Sequence, residues 1–149
     1  MELEKEIFSK GFDNIYNKAI VNILYTHGWL SNHLKNELDK SNITPQQYNV
    51  LRILRGQLPN PATINLLKER MLDKMSDASR IVDRLVQKEL VKRSINKKDR
   101  RAVDIIITDK GLKLLESIPM EAHVINILKN NLSEEEAKQL SDLLDKFRG

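Results

Sequence analysis

The chain has no cysteine, and this absence removes several classes of protein at once. Disulfide scaffolds, thiolate metal sites and cysteine-based redox sensing are all excluded. Glycine is scarce and scattered, five residues in 149. No glycine-rich phosphate loop exists, nor any Gly-x-Ser-x-Gly nucleophile turn. Long apolar runs are missing too. None approaches the roughly 18 residues of a membrane span. The start, Met1-Glu2-Leu3-Glu4-Lys5-Glu6, is acidic and lacks the basic and apolar stretches of a signal peptide. A cytoplasmic protein with no membrane association is expected. The histidines, His27, His33 and His123, show no four-residue helical spacing of a metal-binding pair. No metal and no cofactor are expected, and nothing in the pattern asks for an enzyme.

What is present is charge, unevenly placed. Lys and Arg exceed Asp and Glu by 25 to 21, and the pI is about 9.3. Residues 73–101 alone hold ten Lys and Arg against five Asp and Glu, a net +5 within a chain of net +4. Basicity confined to one fifth of a chain is the footprint of a phosphate-binding surface. With 40% apolar residues, the 149-residue chain can bury the core of one domain.

The periodicities predict mostly helix. Phe12 to Leu38 carries a stripe at helical spacing (Phe12, Ile15, Ala19, Ile23, His27, Leu30, Leu34, Leu38), apolar but for His27, with Gly28 inside it. A helix this long should pack against more than its own small domain. Ser41-Asn42-Ile43 reads as a linker. Thr44-Pro45-Gln46-Gln47 then gives a cap, a proline at the first position and a capping-box glutamine. Val50, Leu51, Leu54 and Leu58 follow on one face. After the break at Leu58-Pro59, Asn60 and Pro61 are expected to open a helix with Ile64, Leu67 and Met71 inward. Leu72-Asp73-Lys74 is a tight turn, and a third helix runs from about Met75 to Lys88. Its inward residues are Ala78, Ile81, Val82, Leu85 and Val86.

The period then changes. Leu90 to Ile95 and Val103 to Ile107 read as two strands joined by the charged connector Asn96-Lys97-Lys98-Asp99-Arg100-Arg101, a β-hairpin. Thr108 can cap a helix through Leu112, Leu115 and Ile118 that Pro119 ends or kinks. The helical pattern resumes at Val124 to Leu128. Ser133-Glu134-Glu135-Glu136 is a capping box before Leu140, Leu143, Leu144 and Phe147.

Three short helices and a two-stranded hairpin make a winged helix-turn-helix. The third helix of such a unit enters the major groove, and the hairpin tip reaches phosphates or the minor groove. Lys74, Ser76, Asp77, Ser79, Arg80 and Arg84 are the candidate contacts at the third helix. Arg80 suits a bidentate bond to guanine, and Arg84 and Lys88, one and two turns further on and also facing outward, suit the backbone. The plain alternative for these residues is a solvated amphipathic face. Lys97, Lys98, Arg100 and Arg101 crowd the hairpin tip, where their repulsion asks for an anion or for screening by water and salt. Asp99 among them can orient Arg101 by charge-assisted hydrogen bonds, leaving Arg101 as the minor-groove probe; otherwise the two are an exposed pair of little energetic value.

The stretch Asp99-Arg100-Arg101-Ala102-Val103-Asp104-Ile105-Ile106-Ile107-Thr108-Asp109-Lys110-Gly111 resembles the wing signature of the MarR family of bacterial regulators. Ser79-Arg80-Ile81-Val82-Asp83-Arg84-Leu85 is similar to that family's recognition helix, and Thr44 to Leu51 to the start of its second helix. The motifs span Thr44 to Gly111 in the family's order. Two departures stand out: Glu89 where the family usually has glycine, and Ile107 for leucine. The resemblance implies a mainly α fold with a small two-stranded β-wing. Residues 43–111 would form the DNA-binding lobe, and residues 1–42 and 112–149 the helical dimerisation region. It implies a homodimeric transcriptional regulator, expected to repress, on a pseudo-palindromic duplex DNA site. It also implies a small aromatic or phenolic effector between the dimer helices and the lobe. Tyr25, His27, Trp29, His33, Tyr48 and Arg52 are the candidate lining, against the alternative that such aromatics are core. The competing reading of the whole chain is a winged helix used for protein–protein contact, against which the charged tip argues.

Overall fold

The computed structural model describes residues 1–96 and 102–149, and the side chains of all of these but 120–123. The described elements run α1 (Leu3–Glu6), α2 (Ile15–Asp39), α3 (Pro45–Gln57), α4 (Ile64–Arg70), α5 (Ala78–Gln87), β1 (Val91–Ile95), β2 (Val103–Ile107), α6 (Asp109–Ser117), α7 (Met120–Asn131) and α8 (Glu134–Arg148). No described helix is long and apolar enough to cross a membrane.

Caps set most of the helix starts. The Thr44 hydroxyl accepts the Gln47 N–H at 3.2 Å, and Gln47 Oε1 accepts the Thr44 N–H at 3.2 Å, with Pro45 in the first turn. Ser133 and Glu136 repeat this reciprocal arrangement at α8. Thr108 caps α6 by accepting the Gly111 N–H at 3.1 Å. Each bond satisfies an N–H that the helix itself leaves without a partner.

Three expected boundaries move. The long helix starts at Ile15 behind an Asn14 cap rather than at Phe12, and Gly28 lies within it. Asn60 and Pro61 do not open α4; Thr63 does, by accepting the Leu66 N–H. The reason is tertiary. Ala62 is an extended rung against β2, exchanging both backbone bonds with Ile105 at 2.8 Å. The helix therefore cannot begin before residue 63, and Leu58, expected inward, ends α3 exposed. The third boundary is at α5, which begins at Ala78 instead of Met75. The side chain of Asp73 bonds the Met75 N–H and the Ser76 hydroxyl, and this local turn competes with helix.

The hairpin forms as expected. β1 and β2 pair antiparallel in the register Val91↔Ile107 to Ile95↔Val103. The core comprises Leu38, Ile43, Val50, Leu51, Leu54, Ala62, Leu67, Met71, Ala78, Val82, Leu85, Leu90, Val91, Ile105, Ile107, Leu115 and Ile118. α3 is its central element, packing on α5, α6 and β2. The resulting frame fixes α5 with one face inward and the other outward.

The turn from α5 to β1 deals with Glu89 in an informative way. Its φ is +61°, the left-handed region that glycine normally occupies. The Leu90 N–H donates to Leu85 O at 3.0 Å and the Glu89 N–H to Val86 O at 2.9 Å, the two bonds of a Schellman stop. Glu89 O accepts from the Thr108 hydroxyl, and its carboxylate pairs with Lys110 at 2.8 Å. A glutamate thus holds a glycine's conformation by being tied on both sides. Gly111, in contrast, has no substitute. A Cβ there would overlap Leu90 O and stand 2.7 Å from Ile107 Cγ1.

Candidate nucleic-acid interface

α5 divides cleanly. Ala78, Val82 and Leu85 are buried, and Ser79, Arg80, Asp83, Arg84 and Gln87 are exposed. Ser79, Arg80 and Arg84 are thus presented on the outer side of a helix held at both ends. Asp77 is its N-cap, accepting the Arg80 N–H at 3.1 Å. Asp77 therefore stands exposed at the start of the helix as its cap. Ser76 also precedes the helix, its hydroxyl donating to Asp73 Oδ2 at 2.7 Å. The Lys74 ammonium folds back to Glu69 O.

The C-terminal half of α5 is braced by charge. Asp83 pairs with Arg93 of β1, linking helix and wing. The Lys88 ammonium donates to Asn42 O and to Gln47 Oε1, the latter at 3.2 Å. Lys88 therefore turns back onto the start of α3 rather than outward. Between these elements lies an open groove of about 420 Å³ lined by Thr44, Gln46, Gln47, Arg80, Ile81, Arg84 and Lys88. The groove is cationic on its α5 side.

On the wing, the Asn96 amide donates to Asp104 at 2.9 Å and the Asn96 N–H to Ala102 O at 3.0 Å, closing the described ladder. Lys92 and Arg93 of β1 are exposed. Neither was singled out from the sequence, because Val91-Lys92-Arg93-Ser94 does not alternate and nothing local signals the Arg93–Asp83 pairing. Lys97, Lys98, Asp99, Arg100 and Arg101 lie outside the described residues.

The six effector candidates do not form one group. Tyr25 and Trp29 line a cavity of about 210 Å³ between α1, α2 and the end of α7, with Met1, Leu3, Glu6 and Asn131 among its walls. The Tyr25 hydroxyl donates to Glu6 at 3.1 Å, and the carboxylate beside it raises the phenol's pKa. His33 meets Trp29 edge-on at 4.4 Å between centroids. His27 sits exposed beside Ser31. Tyr48 and Arg52 pair on α3, with the guanidinium 5.8 Å from the ring centroid. Neither lines the Tyr25–Trp29 cavity. Among the described residues, no three acidic or histidine side chains gather to hold a metal ion.

The MarR family profile matches residues 43–103, from the end of the α2–α3 linker through the start of β2. The HTH-type transcriptional regulator MhqR of Bacillus subtilis (strain 168) is 30% identical over 116 residues, 77% of this chain and 79% of that protein. The HTH-type transcriptional repressor MdtR of the same organism is 33% identical over 111 residues, 74% and 70% of the two chains. The crystal structure of a cysteine-to-serine mutant of MarR from E. coli in complex with operator DNA superimposes with a TM-score of 0.73 at 26% identity, covering 99% of both chains.

Proposed function

The chain belongs to the MarR family of transcriptional regulators, and on that premise we propose that it is a homodimeric, sequence-specific binder of duplex DNA. It represses transcription in the cytoplasm and performs no catalysis. The observation that carries this reading is α5: an outer face of Ser79, Arg80 and Arg84 on a helix fixed by a cap at one end and a Schellman stop at the other. A helix fits the major groove, and a rigid one keeps its side chains in register with base edges. Arg80, in the first turn, reads a base; Arg84, one turn on, meets phosphate. From the sequence, Lys97, Lys98, Arg100 and Arg101 of the wing supply further phosphate and minor-groove contacts.

Residues 43–111 act as the DNA-binding lobe, and residues 1–42 and 112–149 as the dimerisation region. The exposure of apolar side chains at the ends supports this. α8 buries none of its residues within the chain, with Leu143 63% and Phe147 59% exposed. Ile15, Leu24 and Leu128 are exposed as well. A 15-residue helix is marginal in water unless another surface covers it. A second copy supplies that surface and brings a second α5 to a half-site about one helical turn away. The effector is a small aromatic or phenolic molecule, and Tyr25 and Trp29, with the Glu6 carboxylate as acceptor, form its most built part.

The test is fluorescence anisotropy on the duplex upstream of the protein's own gene, and on duplexes selected from a random library, against a shuffled control. Binding to one sequence over the shuffled control, falling steeply with salt at about −0.9 in log–log slope per phosphate neutralised, supports the reading. No binding at low salt contradicts it and favours a protein-contact wing. The single Trp, Trp29, reports on the effector: an aromatic ligand in its cavity quenches its emission, and unchanged emission and melting temperature across a panel of phenols reject the pocket.

A further inference from the structure

The turn leading into α5 presents two large apolar side chains to solvent, Leu72 at 87% and Met75 at 94% exposure. Single exposed apolar residues are ordinary on protein surfaces. These two lie within four residues of each other, and the turn that displays them is rigid. The Leu72 N–H donates to Asn49 Oδ1 at 3.0 Å, the Met75 N–H to Asp73 Oδ1 at 3.0 Å, and the Ser76 hydroxyl to Asp73 Oδ2 at 2.7 Å. Lys74 is tied to Glu69 O. Both carboxylates here are occupied by the chain's own donors, Asp73 by the turn and Asp77 by the α5 cap. The backbone is held in a geometry that keeps the Met75 thioether outward, two residues before the N-cap of α5.

We propose that Met75 is a specificity-determining residue that packs against the C5-methyl group of a thymine in the major groove. This rests on the DNA-binding reading of α5. The N-terminal end of a recognition helix is the part that meets base edges, so an extension of that end lies against the same floor. The methyl of thymine is the one apolar group the major groove offers, and it is read by apolar side chains. Methionine is unbranched and polarisable, which suits it to close over a small group without strain. Continuity with Ser79 and Arg80, exposed on the first turn of α5, places this apolar contact beside the polar ones.

The experiment starts from a duplex selected out of a random library by the wild-type protein. Each thymine is replaced in turn by uracil, which keeps every hydrogen-bonding group and lacks only the methyl. The expected result is one thymine per half-site whose replacement weakens wild-type binding about fourfold, the size of one buried carbon group. Met75→Ala binds the parent duplex correspondingly less well and is indifferent to that replacement, while Met75→Leu stays sensitive. Uracil without effect on the wild type at every position, or with equal effect on wild type and Met75→Ala, overturns the proposal. Failure to select any duplex overturns the DNA-binding reading itself. Met75 is exposed, so its truncation leaves the core intact, and an unchanged melting temperature for Met75→Ala verifies this.

Discussion

The middle of the chain and its ends are built on opposite principles. Every member of the main hydrophobic core lies between Leu38 and Ile118, several of them wholly buried. α8, of comparable apolar content along one stripe, buries nothing within the chain. The middle gathers most of its apolar side chains into one core, leaving a few such as Leu72 and Met75 outside it; α8 has an apolar stripe with no cover within the chain. The difference fits the two tasks proposed above: a lobe that must be rigid to read DNA, and an assembly region whose stability belongs to the pair.

The contrast is broken most severely inside the lobe. Gly111→Ala drives a Cβ into Leu90 O and Ile107, at the joint between α6, β1 and the α5 stop. Overpacking against backbone is expected to lower stability by ~3 kcal/mol, seen as a loss of melting temperature. Leu143→Lys probes the other side. It leaves the lobe folded and weakens association by about two orders of magnitude, ~3 kcal/mol, measured by sedimentation equilibrium. A Leu143→Lys protein that still sediments as a dimer contradicts the assignment of α8 to the partner interface.

Two smaller effects sharpen the picture of the lobe. Glu89→Gly relieves a left-handed residue of its Cβ penalty and is expected to stabilise by ~1 kcal/mol, read from denaturant midpoints. Loss of the exposed Lys110 pairing offsets little of this. The Asp73 carboxyl is held below its ordinary range, first by the Ser76 hydroxyl and then by the Met75 N–H. Its contribution to the turn before α5 is complete above the ordinary aspartate range and is lost as pH falls through the depressed value. The protection factor of the Met75 amide, its exchange rate relative to the unfolded chain at the same pH, should fall in that acidic window, and Asp73→Asn should abolish the pH dependence.

Most of the architecture was legible because its signals are local. Thr44, Thr108 and Ser133 announce their helices within four residues, and the alternation of Val103, Ile105 and Ile107 announces β2. Where the reading failed, a distant partner or a competing turn decided. Ala62 is drawn to Ile105 across 43 positions, which moves the start of α4 past Pro61. Asp73 captures the residues expected to begin α5. The short α1 carries too few residues for a periodicity to show. In the candidate site, Arg80 and Arg84 are exposed on α5 as expected from helical spacing. The turning back of Lys88 and the Arg93–Asp83 pair depend on contacts between elements, as does the separation of Tyr48 and Arg52 from the Tyr25–Trp29 cavity. Spacing within one helix cannot reveal any of these.

Base reading by α5 stands or falls with Arg80. The affinity of Arg80→Ala for a selected duplex and for its shuffled control should be compared with that of the wild type at one salt concentration. The preference for the selected sequence is expected to shrink by about one to two orders of magnitude, the ~1–3 kcal/mol of a bidentate base contact, while binding to the shuffled duplex changes little. An equal loss on both duplexes, or no loss on either, would contradict it.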